Sequence, residues 1–388
     1  MGEQGMRRRH GMLVGCIAAL LIAADAAASD PVVPVAAPVH VVPAVGSASE
    51  DDALPPLLIE WQTAHAEAVR AHLRGLAAAD DARGLAVAAL LSPMAMAPDG
   101  SSEELPRDVW LARAVTLGTG DPLVLWLQAT RCSTDPACDQ ETVLAALKGL
   151  VGEDLDVRLL ALSAAIGRGD ASAAAAHLHA AVESDRVLDP FNGWTRLLYA
   201  ELLAMQAPAP SPEVAGMAGE LFDFGRPVTV ADVAGVSALA VATAFVLPAT
   251  AHLTRFCRAD AQERRDDCLR VYARLAEGRS LMEASIAVVS GVELSGLQTD
   301  QADRHVWRER LRQNAWLRQH VPVVPGEVLP SDYFERFIEA GELAALGDRL
   351  AAAGLPRQAP DGWLPDDARL RRLIVEGRAS EPEAARGD

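Results

Sequence analysis

The sequence predicts an all-α fold, and three observations predict it. Apolar residues recur at helical spacing along most of the chain between about residues 57 and 376. Half of the residues are hydrophobic but only 4% are aromatic, and alanine and leucine fill the periodic segments. Alanine loses no side-chain entropy in a helix and lets helices approach closely. Turn and cap residues interrupt the periods at short intervals, which suits helices joined by tight connections.

The first 28 residues read as a leader. Arg7, Arg8 and Arg9 precede an apolar run from Met12 to Ala24, and Ala26, Ala27 and Ala28 follow before Ser29 and Asp30. A basic start, a short apolar core and a small-residue exit make a secretory signal peptide, and the run is short for a membrane span. Leu13-Val14-Gly15-Cys16 resembles the lipobox of bacterial lipoproteins, in which Cys16 would carry the lipid. Most of the apolar core lies after Cys16, which favours cleavage near Ala28 over lipidation. The expected destination is the periplasm or the medium of a bacterium.

Residues 29–56 form a linker, because prolines at 31, 34, 38 and 43 oppose a helix and favour extended polyproline II. Helices are predicted near 57–77, 82–92, 106–117, 121–131, 139–151, 155–167, 171–184 and 192–205. Asp80-Asp81, Gly118 to Asp121, Gly152 to Asp154 and Gly169-Asp170 supply the turns and caps between them. This region, 57–207, is predicted to stack as antiparallel helix hairpins.

A recurrence supports the stacking. Asp121-Pro122 and Asp189-Pro190 lie 68 residues apart, Trp126 and Trp194 share that interval, and Asp156 falls near its midpoint. A period of about 34 residues is that of tetratricopeptide repeats. The segment from Gly169-Asp170 to Val182 resembles the second half of such a repeat. Ala174, Leu178 and Ala181 stand where that family places its small, large and small packing residues. The resemblance is best over 106–205, roughly a quarter of the chain, and the first helices lack the family's full tryptophan, leucine-glycine and tyrosine pattern. It implies an α-solenoid whose concave face binds peptides or proteins.

Beyond Pro208-Ala209-Pro210 the period fades into a less regular C-terminal helical region, 208–376, followed by a polar tail, 377–388, expected to be disordered. Val233 to Ala251 is uncharged and long enough to be weighed as a membrane helix. Its alanine, glycine, serine and proline content favours a buried helix. Later helices are predicted near 262–277, 279–291, 300–319, 331–351 and 366–376.

Four cysteines follow the leader: Cys132, Cys138, Cys257 and Cys268. An even number in an exported chain argues for disulfides, and four cysteines allow three connectivities. Each neighbouring pair flanks a short polar stretch, which favours Cys132–Cys138 and Cys257–Cys268. Six helical residues rise about 9 Å and eleven about 16 Å, beyond disulfide reach, so each bridge requires the helix to break inside it. Asp135-Pro136 offers one break, and the stretch from Asp260 to Gln262 the other. Zinc sites prefer closer cysteines, so these read as structural.

Charge excludes some partners. The formal net charge is −18, or about −19 once Glu3, Asp25 and Arg7 to Arg9 leave with the leader. Such a surface repels nucleic acid and anionic membrane. The search for chemistry yields no metalloprotease helix, Walker loop, nucleophile elbow or dinucleotide fingerprint. His177 and His179 point about 200° apart on a helix and cannot share an ion, while His65 and His72 sit two turns apart. No catalytic, metal or cofactor residue is assigned. Arg304, Arg308 and Arg312 follow i, i+4, i+8 spacing, with Arg318 on the same side and Trp307 and Leu311 along the edge. They suggest a cationic groove margin for a carboxylate, a phosphate or a partner, or else arginines paired with the chain's own acids. The expected role is an exported helical-repeat scaffold that binds a protein or peptide in the bacterial envelope. The alternatives are an envelope enzyme with a site assembled across helices, and a lipid-anchored structural component.

Overall fold

Seven helices begin where the sequence offers a side-chain acceptor for the first free amides. The side chains of Asp81, Asp139, Asp154, Asp170, Ser211, Ser280 and Asp367 each accept an amide two or three residues on. The computed structural model describes residues 54–97, 104–132, 138–186, 188–246, 248–258, 262–296, 301–321 and 328–377. The expected signal peptide, Cys16, the expected linker up to residue 53, Asp135-Pro136, Asp260 and the tail from residue 378 lie outside them.

The described residues hold seventeen α-helices and no strand. They are α1 (Pro56–Ala78), α2 (Ala82–Leu91), α3 (Arg107–Leu117), α4 (Pro122–Arg131), α5 (Gln140–Val151) and α6 (Leu155–Gly167). Then come α7 (Ala171–Glu183), α8 (Pro190–Ala204), α9 (Pro212–Leu221), α10 (Val230–Val246), α11 (Pro248–Phe256) and α12 (Arg265–Ala276). The last five are α13 (Leu281–Ser295), α14 (Gln301–Gln319), α15 (Tyr333–Ala340), α16 (Glu342–Ala352) and α17 (Ala368–Glu376). The chain is all-α, as its composition and periodicity predict.

Two compact units form, and each draws chain from both sides of the proline stretch at 208–210. The first comprises the residues up to Val124, Gly193–Phe245 and Pro325–Ser331. In it α2 is buried from Gly84 to Leu91 because α1 packs on one side of it and α3 on the other. The second comprises Leu125–Asn192, Val246–Val324 and Asp332–Asp388. Its centre is α6, flanked by α5, α7 and α11, with nearly every residue from Leu155 to Ala165 buried. From there α12, α13, α14 and α17 pack in succession around Tyr272, Val292 and Leu311.

Three elements depart from expectation. The apolar stretch 233–251 is not one helix: α10 ends at Val246 and α11 starts at Pro248, a residue suited to a first helical turn and not to an interior. Among the described residues no helix is long and apolar enough to cross a membrane. The predicted helix 331–351 is two helices, α15 and α16, because Gly341 adopts φ +90°, and its missing side chain leaves room for the Cβ of Arg279. Residues 212–221, assigned no helix from sequence, form α9, capped by Ser211 with Pro212 in its first turn.

Candidate functional site

The densest chemistry in the second unit is an ionic network around Arg186, in the segment between α7 and α8. Its guanidinium donates to both carboxylate oxygens of Asp156 at 3.1 and 3.3 Å, and to both of Glu283 at 3.0 and 2.8 Å. Asp156 and Glu283 are 9% and 7% exposed at the side chain, so this is a buried triad with one base for two acids. A Cβ at Gly278 would stand 2.6 Å from an Arg186 nitrogen; the glycine makes room for the guanidinium.

Local structure positions each member. Asp156 and Glu283 sit in the first turns of α6 and α13, where the helix dipole favours carboxylates. Asp154 caps α6 through the amides of Asp156 and Val157, and its second oxygen accepts the amide of Leu188. The amide of Leu155 donates to the carbonyl of Asp185. Together these bonds hold the Arg186 segment against the start of α6. At the far side Glu342 accepts the amide of Leu281 at 2.7 Å, which ties the start of α16 to that of α13.

Burial dominates the electrostatics. It pushes the Asp156 carboxyl up to about 7; Arg186 opposes this, while Glu283 and Asp154 add to it. Burial also pushes Glu342 up to about 7, against its Leu281 hydrogen bond and with Glu283 adding to the rise. Burial alone would lower Arg186, but Asp156 and Glu283 hold its pKa above the usual value.

Of the four arginines singled out on α14, Arg308 and Arg312 are bonded within the chain. Arg308 donates to the carbonyls of Val375 and Glu376, which cap the end of α17 where Gly377 turns left-handed. Arg312 pairs with Glu309 and donates to the carbonyls of Ala359 and Pro360. Arg318 is partly buried, which lowers its pKa against the pull of Asp367. Arg304 is partly buried and engaged as well. Trp307 is buried beside Gly291, with Arg310 over its ring at 5.1 Å. Arg308 thus spends two donors on backbone carbonyls of this chain, and Arg312 divides its donors between Glu309 and two carbonyls.

The cysteines pair as the spacing suggests, Cys132 with Cys138 and Cys257 with Cys268. Cys257 follows the end of α11 and Cys268 lies in the first turn of α12, with a 3₁₀ turn at Gln262–Arg264 between them. The helix does break inside that bridge. His177 approaches Arg158 and His179 meets Asp267 at 3.0 Å, so they face different partners. In the first unit His72 meets Glu201 at 3.2 Å, while His65 stacks near Trp61 with no hydrogen-bond partner for either ring nitrogen. Burial lowers its pKa. The pocket beside it, lined by Trp61, His65, Pro208 and Val233 among others, holds about 10 Å³, room for one water-sized sphere.

The first unit has its own buried pair. Arg226 clasps Asp232 at 2.6 and 2.8 Å and donates further to the carbonyls of Leu329 and Pro330. Asp232 also accepts the amide and hydroxyl of Thr229, both at 2.7 Å. Burial would raise Asp232, but the bonds from Arg226 and Thr229 prevail and lower its pKa.

Sequence reasoning did not find the Arg186 network. Arg186 lies 30 residues from Asp156 and 97 from Glu283, and no local pattern marks it. The one available signal was Asp154, recognisable as a cap at Gly152 to Asp154. The midpoint residue Asp156 is not the cap but the ion partner. No family model matches the chain, and neither a curated protein nor a solved structure matches it.

Proposed function

We propose that this chain is an exported helical-repeat scaffold that binds a protein or peptide partner in the bacterial envelope. The observation that carries the reading is the recurrence of aspartate caps. Asp121, Asp154 and Asp189 accept amides at the starts of α4, α6 and α8, at intervals of 33 and 35 residues. Between the second and third caps, α6 and α7 pack as a hairpin with Ala174, Leu178 and Ala181 buried. A spacing near 34 residues and a packed helix pair support a tetratricopeptide-like reading. Two cysteine pairs at disulfide distance suit an oxidising compartment.

Val109, Leu117, Leu150 and Leu203 are exposed apolar residues on the helices of this region. The test places a photocrosslinking residue at each of them in the full chain, in intact cells, with Val375 on α17 as the comparison position. One protein captured from the repeat positions and not from Val375 supports the scaffold. An abundant, folded protein that crosslinks to nothing at any of the four sinks it. Fractionation of the same cells places the chain: recovery in the cytoplasm with the leader intact sinks export.

A further inference from the structure

The Arg186 network has more buried acid than base. Asp154 and Asp156 approach from α6, and Asp185, Arg186 and Asp189 lie in the segment before α8. Glu283 approaches from α13 and Glu342 from α16, with Tyr333 beside Glu342 on α15. Arg349 faces Tyr333, and Arg279 lies along Gly341. From α12, Arg274 donates to the carbonyl of Val182 and Glu277 pairs outward with Arg310. Among the described residues Arg186 is thus the one guanidinium bonded to Asp156 and Glu283, with Glu342 next to Glu283. A buried acid without its own counter-ion is costly to ionise, so such a cluster retains a proton.

We propose that this network is a proton-sensitive joint, which binds a proton as the medium turns mildly acidic and thereby tightens the seam between α6, the 184–189 segment, α13 and α16. When the proton leaves, carboxylates repel one another across the seam and it loosens. The bonds that read the seam are the amides of Leu155, Leu188 and Leu281, which end on Asp185, Asp154 and Glu342.

The sign follows from linkage. Asp156 and Glu342 rise to about 7 in the folded chain, against about 4 in an unfolded one. The folded state then holds more protons across that window, so stability falls as pH rises from about 4 to about 7 and levels off above it. His65, His177 and His252, whose pKa values burial lowers, act in the opposite direction. Variants are therefore needed to isolate the network.

The experiment uses the full chain in 0.5 M salt, where surface repulsion is screened beyond about 4 Å. Thermal midpoints and amide exchange are measured from pH 8.5 to 5.5 for wild type, Asp156→Asn and Glu342→Gln. The glutamine can still accept the Leu281 amide, so that variant should fold even if the other does not. The expected result is a wild-type midpoint that rises as pH falls, with about tenfold greater protection of Leu155, Leu188 and Leu281 at pH 5.5 than at pH 8 after correction for intrinsic rates. At least one variant should lose a large part of that pH slope and match or exceed wild type at pH 8. A flat or falling wild-type midpoint overturns the proposal, as does a slope that neither variant changes.

Discussion

In the first unit Arg226 meets Asp232 six positions along the chain; in the second, Arg186 meets Asp156 thirty positions back and Glu283 ninety-seven ahead. The first pair is one acid to one base, with Thr229 and two backbone carbonyls completing its hydrogen bonds. The second sets two acids on one base, with a third acid adjoining. Both are buried, yet their acids shift oppositely: Asp232 falls, while Asp156 and Glu342 rise. At Asp156 and Glu342 burial is the largest influence and prevails, whereas at Asp232 the bonds from Arg226 and Thr229 together outweigh it. Asp232 therefore contributes stability above its unfolded pKa and loses it as pH falls through the depressed folded value. The second unit's acids do the reverse.

The largest effect should come from removing the shared base. Arg186→Met leaves Asp156 and Glu283 buried without a counter-ion, and should cost the second unit about 3–5 kcal/mol. Arg226→Met strands only Asp232, which keeps its Thr229 donors, and should cost the first unit nearer 3 kcal/mol. Denaturant titration followed by peptide-resolved hydrogen exchange reads each unit separately. Equal losses, or a larger loss at Arg226, would remove the distinction drawn between the two. Adding Asp156→Asn and Glu283→Gln to Arg186→Met should restore most of the loss, because the triple variant removes all three charges of the triad together.

Much of the helical layout is visible in local sequence, and the two ionic sites show where that visibility ends. Helices α1 to α8 lie within a residue or two of their predicted bounds, because caps such as Asp81, Asp139, Asp154 and Asp170 act over three residues. The sequence pattern runs through Gly341 as one long helix, since a single glycine inside a period signals a break only when its φ is positive, and sequence does not carry φ. The same limit hides Arg186. Its meaning depends on Glu283, from which five helices, α8 to α12, separate it along the chain. The arginine row on α14 was legible as a row, but not its partners, which are carbonyls of Val375, Glu376, Ala359 and Pro360 on distant chain.

A second contrast is covalent. Both disulfides belong to the second unit. The loop of Cys257–Cys268 is eleven residues and that of Cys132–Cys138 is six. Loop-closure arithmetic then gives about 3 and about 2 kcal/mol. Cys257 and Cys268 are also 3% and 0% exposed, so paired serines there would bury two hydroxyls. The Cys257→Ser, Cys268→Ser variant should therefore lower the second unit by at least about 3 kcal/mol and leave first-unit exchange unchanged. Loss of protection at α2 in that variant would show that the units do not unfold independently.

Close packing distinguishes the units more gently. Gly219 in the first faces the backbone carbonyl of Arg226, and Gly291 in the second faces the ring of Trp307. A ring can shift whereas a backbone carbonyl pinned by its neighbours cannot. Gly219→Ala should cost about 2–3 kcal/mol and Gly291→Ala about 1–2. The same denaturant titrations measure both, and a reversed order would mean that Trp307 is the more rigid neighbour.

The smallest difference should appear at the caps. Asp81 in the first unit accepts one amide, Gly84 at 2.7 Å, from an exposed position. Asp154 in the second accepts three, from Asp156, Val157 and Leu188, and is fully buried. An exposed cap replaced by alanine lets water take over the freed amide, so Asp81→Ala should cost about 1 kcal/mol. Asp154→Ala strands buried amides and releases the Arg186 segment, and should exceed about 2 kcal/mol. Asparagine separates the two causes. It keeps the accepting oxygen and removes the charge, so Asp81→Asn should be nearly neutral by thermal midpoint. At Asp154 the same change also relieves repulsion from Asp156, and should recover more stability relative to alanine at pH 8 than at pH 5.5. If the recovery is independent of pH, the aspartate acts there as an acceptor alone, and its charge plays no part in the network beside it.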